Sequence, residues 1–300
     1  MNTKTLKFDS LLLITAAIWG FAFVAQRVGM DYVGPFSFSG VRFALSAFSL
    51  LPLLFLSREE RTAMENILPN PGLKMVVSGG FLAGFILFMG ISLQQVGLVY
   101  TTAGKAGFIT CLYVIIVPIM ALFWKQSTTL GTWLGAVIAV IGLYLLSVTE
   151  TFTIEYGDLL EFFGAFFFAA HVIVIGWLSP KIQPVKLAFC QFVTCSILSL
   201  ITAGIVEEIT LNDFIQASWS LFYGGVISGG VGYTFQVIAQ RHTHAAHASI
   251  LMSLEGVFAA IGGWLILGEI LSLRALIGCG FMLTGMLLSQ LWGVIGKDAY

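Results

Sequence analysis

The chain has little charge. Asp, Glu, Lys and Arg make up 10% of its 300 residues, against roughly 25% in ordinary soluble domains. The net charge is −1 and no basic stripe gathers anywhere. Nucleic acid is therefore excluded as a partner, since phosphate binding needs clustered Lys and Arg. Cysteine is scarce: Cys111, Cys190, Cys195 and Cys279 lie inside apolar stretches, and none forms a CxxC pair. They read as small apolar fillers. No GxxxxGK[ST] phosphate loop and no DDxxD cluster occurs, so ATP drive and magnesium-dependent prenyl transfer lack their residues. The strings nearest to a membrane serine-protease GxSG, Ser37-Phe38-Ser39-Gly40 and Val226-Ile227-Ser228-Gly229, lack the first glycine. No cofactor is implied.

What is abundant is apolar side chain, at 58%. A soluble domain cannot hide that much, because its outer face must meet water. A bilayer removes the difficulty, and a helix needs about 20 apolar residues to cross it. Stretches of that kind fall at Ser10–Met30, Pro35–Ser57, Leu73–Val96, Thr101–Trp124, Thr128–Val148, Gly157–Ser179, Pro184–Val206, Phe214–Gln240, Ala245–Leu267 and Ser272–Ile295. Met1–Ser10 leads into the first without a small-residue cleavage site, so no cleavable signal is expected. The longest connection, Arg58–Gly72, carries the turn residues Pro69, Asn70, Pro71 and Gly72.

Lys and Arg set the orientation. With ten spans and an inside N-terminus, ten of them fall in inside segments and only Arg27 and Arg274 in outside ones. The outside loops carry acids instead, among them Asp31, Glu155, Asp158, Glu207 and Glu269. Both termini are expected to be cytoplasmic, in a bacterial cytoplasmic membrane.

The second half of the chain rewrites the first. At an offset of 142, Gln94 meets Gln236, Lys105 meets His247, Leu112 meets Leu254 and Tyr113 meets Glu255; at 143, Gly135 meets Gly278 and Gly142 meets Gly285. Five spans per copy is an odd number, so the copies enter the membrane from opposite sides. That is the plan of many secondary transporters, with the solute site near the midplane between the copies. The expected fold is all-α and integral to the membrane: ten transmembrane helices as two inverted-topology five-helix repeats, residues 1–150 and 151–300.

The stretch His247–Ser272, HASILMSLEGVFAAIGGWLILGEILS, together with Ala17-Ile18-Trp19-Gly20, Arg42-Phe43 and Tyr100-Thr101-Thr102-Ala103, resembles the EamA-type members of the drug/metabolite transporter superfamily. The resemblance runs from residue 9 to about 291. It implies a ten-helix fold, a central cavity lined by spans 1, 3, 4, 6, 8 and 9, a contact role for spans 5 and 10, and export of amino acids, their derivatives or other metabolites. One departure stands out: members usually carry Pro after the ninth-span Glu, and here Gly256 follows Glu255.

Polar groups inside hydrocarbon tend to face a cavity or one another. Glu255, about ten residues into the ninth span, is a candidate to bind a cationic group or a coupling proton; its face takes in His244, Ala248, Met252, Ala259 and Gly262. The alternative is a carboxyl bridging two helices. His171, midway along the sixth span, either titrates or donates structurally to a neighbour. Trp19 shares a helical stripe with Thr15, Ala22 and Gln26, suited to a solute site or to packing. Lys105 and His247 read as gate or substrate contacts at mirrored positions, with snorkelling of Lys105 as the alternative. Gln94 and Gln236, as repeat mates, suggest a shared role against plain inter-helix bonding. Tyr113 opposes Glu255 in the repeat, and Phe168 closes the run Phe162–Phe168, most of which reads as lipid-facing bulk. Arg42 reads as an outer ion pair with Asp31, and Glu269 as a cap on the last span. His242, His244 and His247 do not share one helical face, so no metal is expected. The GxxxG pairs Gly80/Gly84, Gly131/Gly135 and Gly225/Gly229 permit close helix contact, and the glycines of the eighth span permit bending.

These observations favour a secondary transporter working by alternating access, coupled to protons or to exchange, over a channel or an intramembrane enzyme. The expected partners are a small-molecule solute and membrane lipid, with a homodimer left open.

Overall fold

The computed structural model describes residues 3–54, 72–123, 129–147, 155–208, 210–268, 270 and 272–295. Among them every regular element is helical. Lipid offers no partner to a backbone N–H or C=O, so each apolar segment satisfies its own by coiling. In chain order the helices are α1 (Thr3–Gly29), α2 (Pro35–Leu54), α3 (Leu73–Tyr100), α4a (Ala103–Thr110), α4b (Tyr113–Phe123), α5 (Leu130–Ser147), α6 (Tyr156–Leu178) and α7 (Pro184–Val206). Next come α8a (Leu211–Gln216), α8b (Ser218–Phe222), a π-helix (Tyr223–Tyr233) and α8c (Thr234–Gln240), then α9a (Ala245–Met252), α9b (Glu255–Leu267) and α10 (Leu273–Ile295).

Seven helices, counting α4a with α4b and α9a with α9b as one each, are long and apolar enough to cross a membrane; Leu130–Gly142 and Leu276–Ser289 are shorter apolar helices. Large apolar side chains such as Phe48, Phe81, Phe123, Ile205, Trp219 and Leu276 are exposed on the outer faces, the pattern of a lipid-facing surface. Most of the loop expected between the second and third spans, and Glu269 with its expected cap, lie outside the described residues.

Two helices of spanning length are broken, and they break at the same place. The turn Cys111–Leu112 separates α4a from α4b, and Ser253–Leu254 separates α9a from α9b. The starts of both half-helices and the end of the first, 103/245, 110/252 and 113/255, correspond at an offset of 142. Glu255 was expected deep within one continuous helix, on a face with His244; it is instead the first residue of α9b, while His244 precedes α9a. No proline sits at either break, so the interruption follows the fold rather than a single breaking residue. The two turns touch: the Cys111 thiol donates to the Ser253 carbonyl at 3.2 Å.

Glycine sets the close approaches. A Cβ on Gly80 would meet Cys190, and one on Gly84 would meet Thr194, so α3 lies tightly on α7. A Cβ on Gly135 would meet the Gly285 carbonyl, and one on Gly142 the Gly278 carbonyl, which fits α5 against α10. Those contacts cross over, each glycine meeting the mate of the other. Where α2 begins, Pro35 occupies its first turn and Glu207 accepts from the Phe36 and Ser37 amides at 2.8 Å. A carboxylate from the far end of α7 thereby satisfies orphan donors at a positive helix end.

Candidate functional site

The glycine-rich stretch Tyr223–Tyr233 builds one wall. Five glycines there let α1 and α2 press against it: a Cβ on Gly232 would strike Trp19, and one on Gly225 or Gly229 would strike Leu45 or Ser46. A π-turn is wide and leaves carbonyls free for side chains. Gly224 O accepts from Arg42 Nε at 3.1 Å, Gly225 O from Ser46 at 2.8 Å, Ser228 O from Trp19 Nε1 at 3.2 Å and Gly232 O from Thr15 at 3.2 Å. This helix, whose glycines permit bending, is widened over Tyr223–Tyr233 and seats four side chains.

The pocket behind that wall is closed by side chains from α1, α2, α3, α4a, α4b, α6, the π-helix, α8c and α9b. Of the residues singled out from sequence, it brings together Trp19, Gln26, Gln94, Tyr113, Phe168, His171, Gln236 and Glu255. Aromatic rings pack around its middle, with Trp19 4.5 Å and His171 5.9 Å from the Tyr233 centroid. His171 Nε2 lies 2.9 Å from Gln191 Oε1, a bond that fixes the ring.

Three expected residues are elsewhere. Lys105 pairs with Asp158 at 3.2 Å, at the junction of α4a with the first turn of α6. His247 pairs with Asp9 at 3.3 Å and faces Ser289. His244 is exposed. Each sits at or before the start of α4a or α9a, more than a helical turn from the breaks where the pocket lies. Among the described residues no group of three His, Cys, Asp or Glu is placed to hold a metal; His242 stacks on Phe8.

Arg42 is the principal correction. It does not pair with Asp31, which Arg27 takes at 2.9 Å along one turn of helix. It turns inward, lines the pocket and is only 2% exposed. Its guanidinium donates to Gln26 Oε1, Ser228 Oγ and Gly224 O and lies 5.1 Å from the Phe43 ring centroid. All these acceptors are neutral. Span depth was legible in sequence, but the direction a residue faces was not. The Arg27/Asp31 spacing of four was the available signal that Asp31 was already taken. Thr110, Ser228 and Tyr233 also line the pocket; isolated hydroxyls within apolar runs carry no signal in sequence that marks these three.

A buried cation without a counter-ion is costly, because neutral dipoles replace only part of its hydration. The same pocket holds Glu255 at the start of α9b, where the helix dipole favours negative charge. The pocket lining thus combines one guanidinium and one carboxyl with the rings of Trp19, Tyr113 and Tyr233.

Comparison with known proteins agrees with this architecture. The model of the EamA-like transporter family matches twice, over residues 6–148 and 155–291. An uncharacterized transporter of Archaeoglobus fulgidus is 31% identical over 298 residues, covering 97% of this chain and 88% of that one. A protein of Chlamydia trachomatis named S-adenosylmethionine/S-adenosylhomocysteine transporter is 24% identical over 296 residues, covering 92% and 86%. A solved crystal structure superposes with a TM-score of 0.74 at 15% identity, over 95% of this chain and 96% of that one, which marks a shared fold. The chain is a multi-pass membrane protein that belongs to the EamA-like transporter family, within the drug/metabolite transporter superfamily.

Proposed function

We propose that this protein moves a small metabolite bearing both a carboxylate and a cationic group, such as an amino acid or a derivative, through the central pocket by alternating access. The observation that carries the reading is Arg42: a buried guanidinium lining a pocket with only neutral acceptors around it. A solute carboxylate supplies the missing anion, and Glu255 selects the cationic end. Relatives named for S-adenosylmethionine transport are consistent with such a solute, since that molecule carries an amino-acid end and a sulfonium.

The mechanism rests on two inverted five-span halves, residues 1–150 and 151–300, with both termini cytoplasmic and export as the working direction. The paired helix breaks, the Cys111–Ser253 contact and the crossed glycine contacts of α5 with α10 support a two-fold relation between the halves, as do the two consecutive family matches. Broken helices with half-helix ends at a solute site are typical of such carriers. If the ligand closes one side as it opens the other, it needs to bias the equilibrium by only a few kcal/mol.

The test is a thermal-shift screen of the purified protein against amino acids, their decarboxylated and esterified analogues, and S-adenosylmethionine. Hits are then followed as radiolabel in proteoliposomes. Stabilisation by zwitterions alone, with saturable and trans-stimulated flux, is the expected result. Equal stabilisation by the amine and ester analogues would discard the two-charge reading.

A further inference from the structure

Glu161 lies outside the pocket lining, and no step of the proposed transport uses it. It is on α6 and fully buried, at 0% exposure. Among the described residues no cation pairs with it. One carboxyl oxygen, Oε2, accepts from Thr110 at 3.1 Å, and Thr110 in turn accepts from Gln94 Nε2 at 3.1 Å. Thr110 and Gln94 both line the pocket, so a chain of hydrogen bonds runs from the solute site to this carboxyl. The other oxygen, Oε1, is buried and has no partner among the described residues. It faces Gly97, where a Cβ would come within 2.9 Å of it, and the Gly157 carbonyl borders the same space. Glycine at position 97 leaves that oxygen room, with a carbonyl beside it able to accept from an O–H.

On the side away from the pocket, one helical turn along α6, stands Asp158. It accepts from Thr101, from Lys105 and from the Glu155 amide, and Lys105 is partly exposed. The sequence of groups from the surface is therefore Lys105 with Asp158, then Glu161, then Thr110 and Gln94, then the pocket. The surroundings of Glu161 carry little other charge. Asp158 faces it from α6 itself. Helix α4a contributes Thr110, with Lys105 beyond Asp158. Helix α3 contributes Gln94 and Gly97, with Tyr100 against Gly157, and α4b places Tyr113 at the neighbouring pocket wall. Helices α8c and α9a meet α6 toward its other end, by Gln240 on the Val172 carbonyl and Ala245 on Gly176.

We propose that Glu161 is the proton site of this transporter, a coupling position separate from the solute-binding Glu255. Separation of Lys105 from Asp158 admits water to the end of α6. The Oε1 lone pair takes a proton from a hydronium ion arriving through that water, which is left as neutral water, and the carboxylate becomes a neutral acid. Return of the proton regenerates the carboxylate, and Thr110 and Gln94 transmit the change to the pocket wall. The proposal rests on the transport reading.

The decisive measurement needs no solute. Infrared difference spectra of the purified protein in lipid, acidic minus alkaline buffer, are expected to show a distinct high-wavenumber carbonyl band of a buried acid, apart from the broad band of the chain's solvent-exposed carboxyls. Glu161→Gln should remove it and Glu255→Gln should leave it in place. Thr110→Val takes a hydrogen bond from the carboxyl and should move the band to higher wavenumber, so it decides the matter if Glu161→Gln fails to fold. Absence of this high-wavenumber band in the wild type, its survival in Glu161→Gln, or an unmoved band in Thr110→Val overturns the proposal. Solute flux in wild-type vesicles is scored separately, so a protein that transports without this band would sink the proton site and leave the carrier standing.

Discussion

The first half of the chain places Arg42 where the second places Gln191, and Tyr113 where the second places Glu255. An offset of 149 aligns Asp9 with Asp158, Leu12 with Glu161, Trp19 with Phe168, Pro35 with Pro184 and Arg42 with Gln191. An offset of 142 aligns Lys105 with His247 and Tyr113 with Glu255. Structural positions match closely: both prolines open a helix, and both broken helices part at corresponding turns. The chemistry does not match. The arginine and the glutamate of the pocket come one from each half, and each has an uncharged residue at the corresponding place. A carrier needs two conformations of similar energy, and similar halves provide them. It also needs to hold one polar molecule in one orientation, and for that the halves must differ.

Giving each position the residue held by its counterpart tests which differences matter. Arg42→Gln has the largest expected effect. Glutamine can still bond Ser228, but the one Lys or Arg that lines the pocket among the described residues is lost. Losing a buried charged partner of a carboxylate costs about 2–5 kcal/mol, so kcat/KM for a transported zwitterion should fall at least about 30-fold. Arg42→Lys keeps the charge without the planar fork and should fall in between. Transport within about twofold of wild type in Arg42→Gln would remove the carboxylate from Arg42. Glu255→Tyr, copying position 113, comes next. Loss of a hydrogen bond to a charged group is worth about 1.5–3 kcal/mol, so roughly a 10- to 100-fold loss is expected for solutes with a cationic group. Uncharged analogues of the same size should lose less, as read by competition in the flux assay.

Much of the fold was legible because a bilayer imposes a length on every apolar run: Pro184–Val206 begins and ends where the sequence placed it. The breaks at Cys111–Leu112 and Ser253–Leu254 were not legible. They carry no proline or glycine, and they arise where four half-helix ends meet, which is a tertiary fact. The pocket was partly legible, since Trp19, His171 and Glu255 are polar or amphipathic groups at mid-depth, where exposure to lipid is costly. The inward turn of Arg42 was not legible, because position along an apolar run gives depth and not the direction a side chain faces. Glu161 was passed over among phenylalanines. The signal for it was present: a carboxylate more than one turn inside an apolar run is expensive and calls for a function.

The smallest effects separate glycines by what covers them. A Cβ on Gly229 would sit 1.8 Å from Ser46 Oγ, whereas one on Gly280 meets nothing within 4 Å. Gly229→Ala should destabilise by about 1–3 kcal/mol, the cost of forcing a methyl into a filled contact, and should displace the wall that seats Arg42 and Trp19. Gly280→Ala should stabilise by about 0.4–1 kcal/mol, because it only removes freedom from the unfolded chain. At the offset of 143, the residue corresponding to Gly280 is Val137, which is 52% exposed. The other half therefore already carries a larger side chain on that outward face without a packing conflict. Thermal unfolding of the two variants in one detergent reads both signs at once. A drop in Tm for Gly280→Ala would mean that something packs against the outer face of α10, which would make that face a contact surface rather than a lipid-facing one.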